Sequence, residues 1–531
     1  MNKENLNRWQ GIEHEFRVGY PYAKEIIHSL QEYNFFSDCP AFCSSKSWRY
    51  DGFLRNGSRI YICTGDHLEI STPECRNAFE VLKYDKAAEF YAQLGAELAS
   101  QNLKNSFRGQ AVQCWKANVE IDSRYSRGTH ESYTIARNKY KGKERLLIPY
   151  LVLRKLFTGA GGYIGNHYVI SPRAMVSKRV LVEPHYYWPI LSTRDEPLTT
   201  RDKFRIHITS GEGLRSEVTR LLNNGITSYI ISAIESEKLK KVPMLYDPLQ
   251  TFKNLSRNTV GDWIVKLYNE KKIGAIDYLN TYYLPVIEEL FEERETDYWD
   301  LYILKTYKKV MKKLEEGLID SPYIRRRIEW VMKYWAIENE IEDFEYDGVE
   351  VDKKIAASFD FTNVCDYDLY EKIADKIRVE RLLSERDIGE AMLYPPKDSR
   401  AELRTRLSEE FPNSIIGWNK ITIKMEPEIR IKKIKREKYQ ELRKLAKEGA
   451  GVVEVDIKDL EDGKLFGRLL VKLLSDRHDS EFLFKVINGK TITEKFEELD
   501  GWSQYQINKK IEEIKKKIAG ANVIEVILAY D

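Results

Sequence analysis

The chain has 531 residues, 42% of them hydrophobic and 32% charged, with Lys+Arg 85 against Asp+Glu 83. That length suits two or three domains, and the even charge balance provides no general drive toward nucleic acid or an acidic membrane. The most apolar run, "LLIPYLVLRKLF", is broken by Pro149 and Arg154, which argues against a membrane span.

The opening "MNKENLNRWQ" lacks the charged-then-apolar pattern of a secretory signal, so a cytoplasmic location is expected. Six cysteines (39, 43, 63, 75, 114, 365) form no CxxC pair and show no zinc-ligand spacing. They read as small core residues, with Cys63 standing apart.

In chain order, "GIEHEF", "RIYIC", "HLEIS", "THESYTIAR" and "KFRIHIT" read as strands up to about residue 215. Between them lies the helical stretch "EVLKYDKAAEFYAQLGAELASQ". The fold class expected is α+β with an antiparallel sheet. "TGAGGYIG" (158–165) reads as a glycine-rich turn, since no strand-to-helix "GxGxxG" and no P-loop occurs. From 216 to 344 apolar and aromatic residues return every three or four positions, which predicts a helical cover over a domain spanning 1–404.

A smaller C-terminal α/β domain, 405–531, is expected to hold strands at "GWNKITIKM", "GVVEVDI" and "NVIEVILAY". Its basic run Lys432, Lys433, Lys435, Arg436, Lys438 has two readings, a solvated helix face or a docking surface for an acidic protein.

Strand parity tells which side chains meet, because residues two apart project to one side. Glu13 and Glu15 share a face, away from Ile12, His14 and Phe16. Arg59, Tyr61 and Cys63 share another, opposite Ile60 and Ile62. Arg205, His207 and Thr209 oppose Phe204, Ile206 and Ile208, and "HESYTI" offers His130 with Ser132 or Glu131 with Tyr133. A half-solvated antiparallel sheet explains any one of these strands. Four together, with neighbouring carboxylates that repel unless cations compensate them, point to divalent metal and phosphate. Arginines alongside suit bidentate contacts to phosphate oxygens. The ligand inferred is a nucleoside triphosphate with its metal ions, seated on a sheet.

The ordered set "GIEHEF" (11–16), "FLRNGSRIYICTGDHLEISTPEC" (53–75), "GTHESYTIAR" (128–137), "SPRA" (171–174), "STRDEP" (192–197), "RIHI" (205–208) and "PPKDSRAELR" (395–404) resembles the Pup ligase and Pup deamidase (depupylase) family. That family is related to glutamine synthetase and the γ-glutamyl-cysteine ligases. The resemblance implies a glutamine-synthetase-like curved antiparallel sheet, with helices packed behind, cradling ATP and Mg²⁺. It implies metal ligands at Glu13, Glu15, Glu69, His130 and His207, and nucleotide contacts at Arg59, Tyr61, Arg205 and Arg400. The partners implied are a small Pup-like protein modifier ending in Glu or Gln and a lysine on an acceptor protein, joined through an acyl phosphate.

The short separation of "GIEHEF" from "NGSR" looks ligase-like, because the deamidases carry an extra loop there. A hydrolase using nucleotide as cofactor and a catalytically silent nucleotide- and modifier-binding scaffold are the alternatives. One departure unsettles the mechanism. Where the family carries a catalytic aspartate two residues after the tyrosine, this chain has Cys63. Three readings follow: an inert replacement beside another base, a reactive thiol, or a mark of lost activity. The first is favoured, with Asp66 as a substitute. Further departures are Ser132 after "HE", and Glu212 and Leu214 in "SGEGLRSE".

Overall fold

The computed structural model describes residues 4–19, 22–33, 35–36, 50–63, 67–105, 111–120, 126–183, 187–195, 202–343, 348–365, 369–410, 415–418, 420–424, 468–476, 479–487 and 523–528. Asp66, the basic run 432–438 and the strand expected at "GVVEVDI" lie outside them. Two compact units are present. Met1–Leu30, Tyr61–Glu196 and Arg201–Met392 make the first; Gln31–Ile60, Pro197–Thr200 and Leu393–Asp531 make the second. This division differs from the boundary expected at 404/405, since the second unit begins at 393 and draws in residues 31–60.

The strands in chain order are β1 (Gln10–Val18), β2 (Asp51–Phe53), β3 (Arg59–Ile62), β4 (Leu68–Ser71), β5 (Cys114–Trp115), β6 (Thr129–Ala136), β7 (Gly162–Ile164), β8 (His167–Val169), β9 (Arg179–Val182), β10 (Pro189–Ser192) and β11 (Lys203–Gly211). In the first unit β4–β1–β6–β11–β10–β9 are hydrogen-bonded in that order, with β5 added to β1. All these pairs are antiparallel except β9 with β10.

One face of this sheet is sealed by helices. Tyr133, Ile135, Ile206 and Ile208 join one core with Val218, Leu221 and Leu222 of the helix Glu217–Glu235. Ile12 packs with Val81, Tyr84 and Ala87 of the helix Ala78–Asn105. The start of the helix Glu217–Glu235 follows from "RSE": Ser216 accepts from Thr219 N and caps it. The glycine-rich segment forms the β7–β8 hairpin, with Gly161 and Gly165 at positive φ, as a turn requires.

Residues 216–343 are mainly helical, interrupted where β12 (Ile264–Lys266) pairs antiparallel with β13 (Lys272–Gly274). The second unit carries β14 (Ile415–Ile416), β15 (Lys420–Lys424), β16 (Arg468–Asp476), β17 (Asp479–Ile487) and β18 (Val523–Leu528), ordered β14–β15–β18–β17–β16. β15 and β18 fall within "GWNKITIKM" and "NVIEVILAY". Among the described residues, no helix is long and apolar enough to cross a membrane.

Candidate functional site

The open side of the first unit's sheet gathers the polar residues. Along β1 the buried positions Gln10, Ile12, His14 and Phe16 alternate with the more open Gly11, Glu13, Glu15 and Arg17. Register then decides the neighbours. Glu13 sits opposite His130 on β6 and opposite Ser71 on β4, and Glu15 opposite Glu69. On β11, His207 pairs with Ser132 and Arg205 with Thr134. His130, Ser132 and Thr134 form the open side of β6, so four strands contribute to one surface.

Glu13 is the hub. His130 Nδ1 lies 2.9 Å from Glu13 Oε1, His207 Nε2 lies 3.4 Å from it and an Arg205 nitrogen 3.7 Å. The two imidazoles meet edge to face at 5.1 Å. Each of Glu13, His130 and His207 presents one ligand atom within 4.8 Å of the others, a spacing one metal ion can close. Tyr61 donates its hydroxyl to Glu69 Oε1 at 2.5 Å. Gly128 N–H donates to Glu15 Oε2 at 2.7 Å. A Cβ on Gly128 would stand 2.7 Å from His130 Nε2 and 3.4 Å from Arg173 Nη2, so only glycine leaves this hollow open. Arg205 Nε donates to Ser132 Oγ at 3.0 Å, which holds its guanidinium on the same face.

Charge crowding is the dominant electrostatic feature. Burial opposes ionisation of Glu13, but hydrogen bonds from His130 and His207 and the charge of Arg205 outweigh it and hold the carboxyl well below its usual range. Glu69 goes the other way: burial, then the charges of Glu13 and Glu15, push it well above the usual range despite bonds from Tyr61 and Cys63. Burial and Arg205 keep His207 well below the ordinary imidazole value, which leaves a neutral ring suited to ligation. Burial and the charges of Glu69 and Glu15 push the Cys63 thiol up, so in the metal-free protein it is a hydrogen-bond donor to Glu69 and no base.

Glu13, Glu15, Tyr61, Glu69, His130, Arg205 and His207 thus lie in the first unit on strands that share this face, and Cys63 follows directly after β3. Arg59 belongs to the second unit, where its guanidinium clasps Asp51 through bonds of 2.9 and 2.6 Å. That pairing leaves less of it for phosphate than the sequence suggested. Arg400 also lies in the second unit, buried at the start of the helix Arg400–Glu410.

Sequence reasoning missed Arg173, whose charge interacts with Glu15, and His67, whose carbonyl accepts from Cys63 N at 3.0 Å. Both stand inside quoted motifs, "SPRA" and "TGDHLE", so the signal was present without a parity argument to use it. Glu212 of "SGEGLRSE" has a structural duty, accepting from Lys155 Nζ at 3.1 Å and from Arg173 N at 3.1 Å.

Comparison with known proteins gives the same direction. The family described as Pup-ligase protein matches residues 10–422. A Pup–protein ligase of Xylanimonas cellulosilytica is 27% identical over 365 residues, 66% of this chain and 79% of that protein. One of Geodermatophilus obscurus is 29% identical over 381 residues, 69% of this chain and 82% of its own. A crystal structure of the complex between prokaryotic ubiquitin-like protein Pup and its ligase PafA superposes with a TM-score of 0.68 at 22% identity, covering 79% of this chain and 87% of that one. The Pup ligase PafA in complex with ADP gives 0.63 at 22%, covering 72% and 84%. These structures share the glutamine-synthetase-like fold with this chain. With the family match running over most of its length, the chain belongs to the Pup-ligase protein family.

Proposed function

We propose that the protein is an ATP-dependent carboxylate–amine ligase that joins a glutamate carboxylate of a small Pup-like modifier to a lysine amine of an acceptor protein. The observation that carries this reading is the convergence of Glu13, His130 and His207, from β1, β6 and β11, on one side of the sheet within 4.8 Å. The ligase names of the relatives and the Pup and ADP complexes of the structural neighbours support the modifier and the nucleotide.

The residues fit a divalent cation. Three carboxylates face one hollow, and Glu69 is pushed up by Glu13 and Glu15, a repulsion that a cation relieves. Glu13, Glu15, Glu69, His130 and His207 would hold Mg²⁺ ions, with oxygen donors predominating as that ion prefers. When bound, Mg²⁺ with ATP supplies charge neutralisation for phosphoryl transfer.

The chain's own groups do the rest. Arg205, fixed by Ser132, offers a guanidinium to phosphate oxygens. Tyr61 orients Glu69, and Gly128 N–H orients Glu15. Cys63 keeps its proton and braces Glu69, so the amine's proton goes to another acceptor.

Purified protein with Mg²⁺, ATP, a modifier ending in Glu and a lysine-bearing acceptor is expected to yield ADP, phosphate and an isopeptide conjugate seen by mass spectrometry. Hydrolysis of the conjugate with ATP unchanged would replace the ligase reading by the deamidase one. The protonated thiol at Cys63 is the observation that favours the silent-scaffold reading, and nucleotide binding without any turnover would establish it.

A further inference from the structure

Next to the Glu13 hub lies a second set of donors with a different chemistry. One carboxylate oxygen of Glu15, Sγ of Cys63 and a ring nitrogen of His67 all lie within 4.8 Å of one another. None of the three belongs to the Glu13–His130–His207 group. We propose that Glu15, Cys63 and His67 form a binding site for one thiophilic divalent cation, of which Zn²⁺ is the physiological fit.

Backbone bonds hold the set together. Cys63 N donates to His67 O at 3.0 Å, closing the chain on itself so that the two side chains leave neighbouring points of the backbone. Glu15 comes from β1, its carboxylate fixed by Gly128 N–H at 2.7 Å and its position set opposite Glu69 in the β1–β4 register. Tetrahedral zinc, at about 2.3 Å from sulfur and about 2.0–2.1 Å from nitrogen or oxygen, needs donors roughly 3.3–3.8 Å apart. Separations within 4.8 Å need a closure of at most about 1.5 Å, within the reach of side-chain rotation. All three residues are half-buried, neither sealed in the core nor fully exposed.

The donor set decides the ion. Sulfur, imidazole nitrogen and one carboxylate oxygen suit Zn²⁺, whereas Mg²⁺ takes oxygen almost alone. Three protein ligands leave a fourth position for water. Glu69, bonded to Cys63, stands beside the set, and the charge of Arg127 also acts on Cys63. Cysteine at 63 in place of the family's aspartate is what turns a hard position into a soft one. On binding, the Cys63 S–H bond breaks as the sulfur–metal bond forms, and the proton passes to water; no atom changes oxidation state. Because Glu15 is also a ligand in the magnesium set proposed above, zinc here would withdraw it. That consequence rests on the proposed function, and the metal site itself does not.

Full-length, reduced, metal-free protein titrated with Co²⁺, a spectroscopic stand-in for zinc, is expected to develop a sulfur-to-cobalt charge-transfer band in the near ultraviolet that saturates at one cobalt–thiolate centre per chain, whatever further cobalt Glu13, His130 and His207 take up. About one proton should be released as that band forms, and Zn²⁺ should displace the cobalt and protect Cys63 from alkylation. Cys63→Asp should still bind cobalt but lose the band, and His67→Ala should weaken binding at least tenfold. Absence of the band in folded wild-type protein, its survival in Cys63→Asp, or alkylation of Cys63 at the same rate with and without zinc would each overturn the proposal. If Cys63→Asp fails to fold, the wild-type titration and alkylation still decide it.

Discussion

The sheet that carries the site is held from behind by a buried ion pair, and its removal is the sharpest test of the strand parity on which the site depends. Arg154 and Glu131 are both fully buried, and two guanidinium nitrogens reach the carboxylate at 2.6 and 2.9 Å. Burial opposes the Glu131 charge, but Arg154 outweighs it and keeps the carboxyl below its usual value.

Glu131→Gln keeps the shape and removes the charge, leaving Arg154 uncompensated. Two charges about 4 Å apart at an effective dielectric of about 20 interact by about 4 kcal/mol, and breaking one side of such a buried pair costs about 3–5 kcal/mol. Arg154→Met should cost a similar amount. The double variant should recover most of it, because Tyr133 keeps Asn224 and Thr227 keeps the Asn223 carbonyl as partners. Urea unfolding followed by fluorescence measures all three. Since Glu131 points away from His130, the double variant should bind Mg–nucleotide as the wild type does. Single variants within about 1 kcal/mol of wild type, or a double variant whose loss is the sum of the two, would refute the reasoning.

Three further outcomes are expected. Glu13→Gln removes the negative charge that His130, His207 and Arg205 share, and Mg²⁺-dependent nucleotide binding measured by calorimetry should weaken at least about tenfold, or about 1.4 kcal/mol. Burial raises the Glu89 pKa, but Lys116, Lys86 and Arg215 outweigh it and hold the group far below 4.5. Its contribution to stability is therefore full above pH 4.5 and is lost as pH falls below that, so wild type and Glu89→Gln should converge on acidification; a constant gap between them would count against this. Gly211 sits at the register shift between β6 and β11, where a Cβ would stand 2.7 Å from Glu131 Oε1, and Gly211→Ala should cost about 1–3 kcal/mol in thermal or urea unfolding.

Strand parity made the centre of the site legible. Alternation put Glu13 with Glu15 and Arg205 with His207, and left His130 or Glu131 open on β6; pairing between strands then set Glu13, His130 and His207 side by side. Parity says nothing about where a charge finds its partner. Arg59 reads as a phosphate ligand, and no local pattern announces that Asp51, eight residues earlier, also holds its guanidinium. Glu131 and Arg154 lie 23 residues apart, and no local pattern announces a buried pair. The β12–β13 hairpin interrupts a helical rhythm, and Glu270 takes positive φ in its turn, a conformation that residue type does not advertise. β16 and β17 were missed because "RLLVKLLSD" and "EFLFKVI" are near-continuous apolar runs, which periodicity cannot distinguish from helix.

Cys63 shows how one substitution shifts the electrostatics of the whole face. Glu13, Glu15 and Glu69 already crowd one another enough to push Glu69 well above its usual range. A fourth carboxylate at position 63, next to Glu69 and Glu15, would add to that repulsion and make the metal-free sheet harder to form. The neutral thiol removes that load and returns a hydrogen bond to Glu69. The cost falls on chemistry: a thiol that burial and Glu69 hold protonated cannot take a proton from an incoming amine at neutral pH. A cation in the hollow changes both sides of this balance, since it relieves the carboxylates and lowers the pKa of any thiol it touches. A divalent metal bound there would therefore act on stability and on the state of Cys63 together.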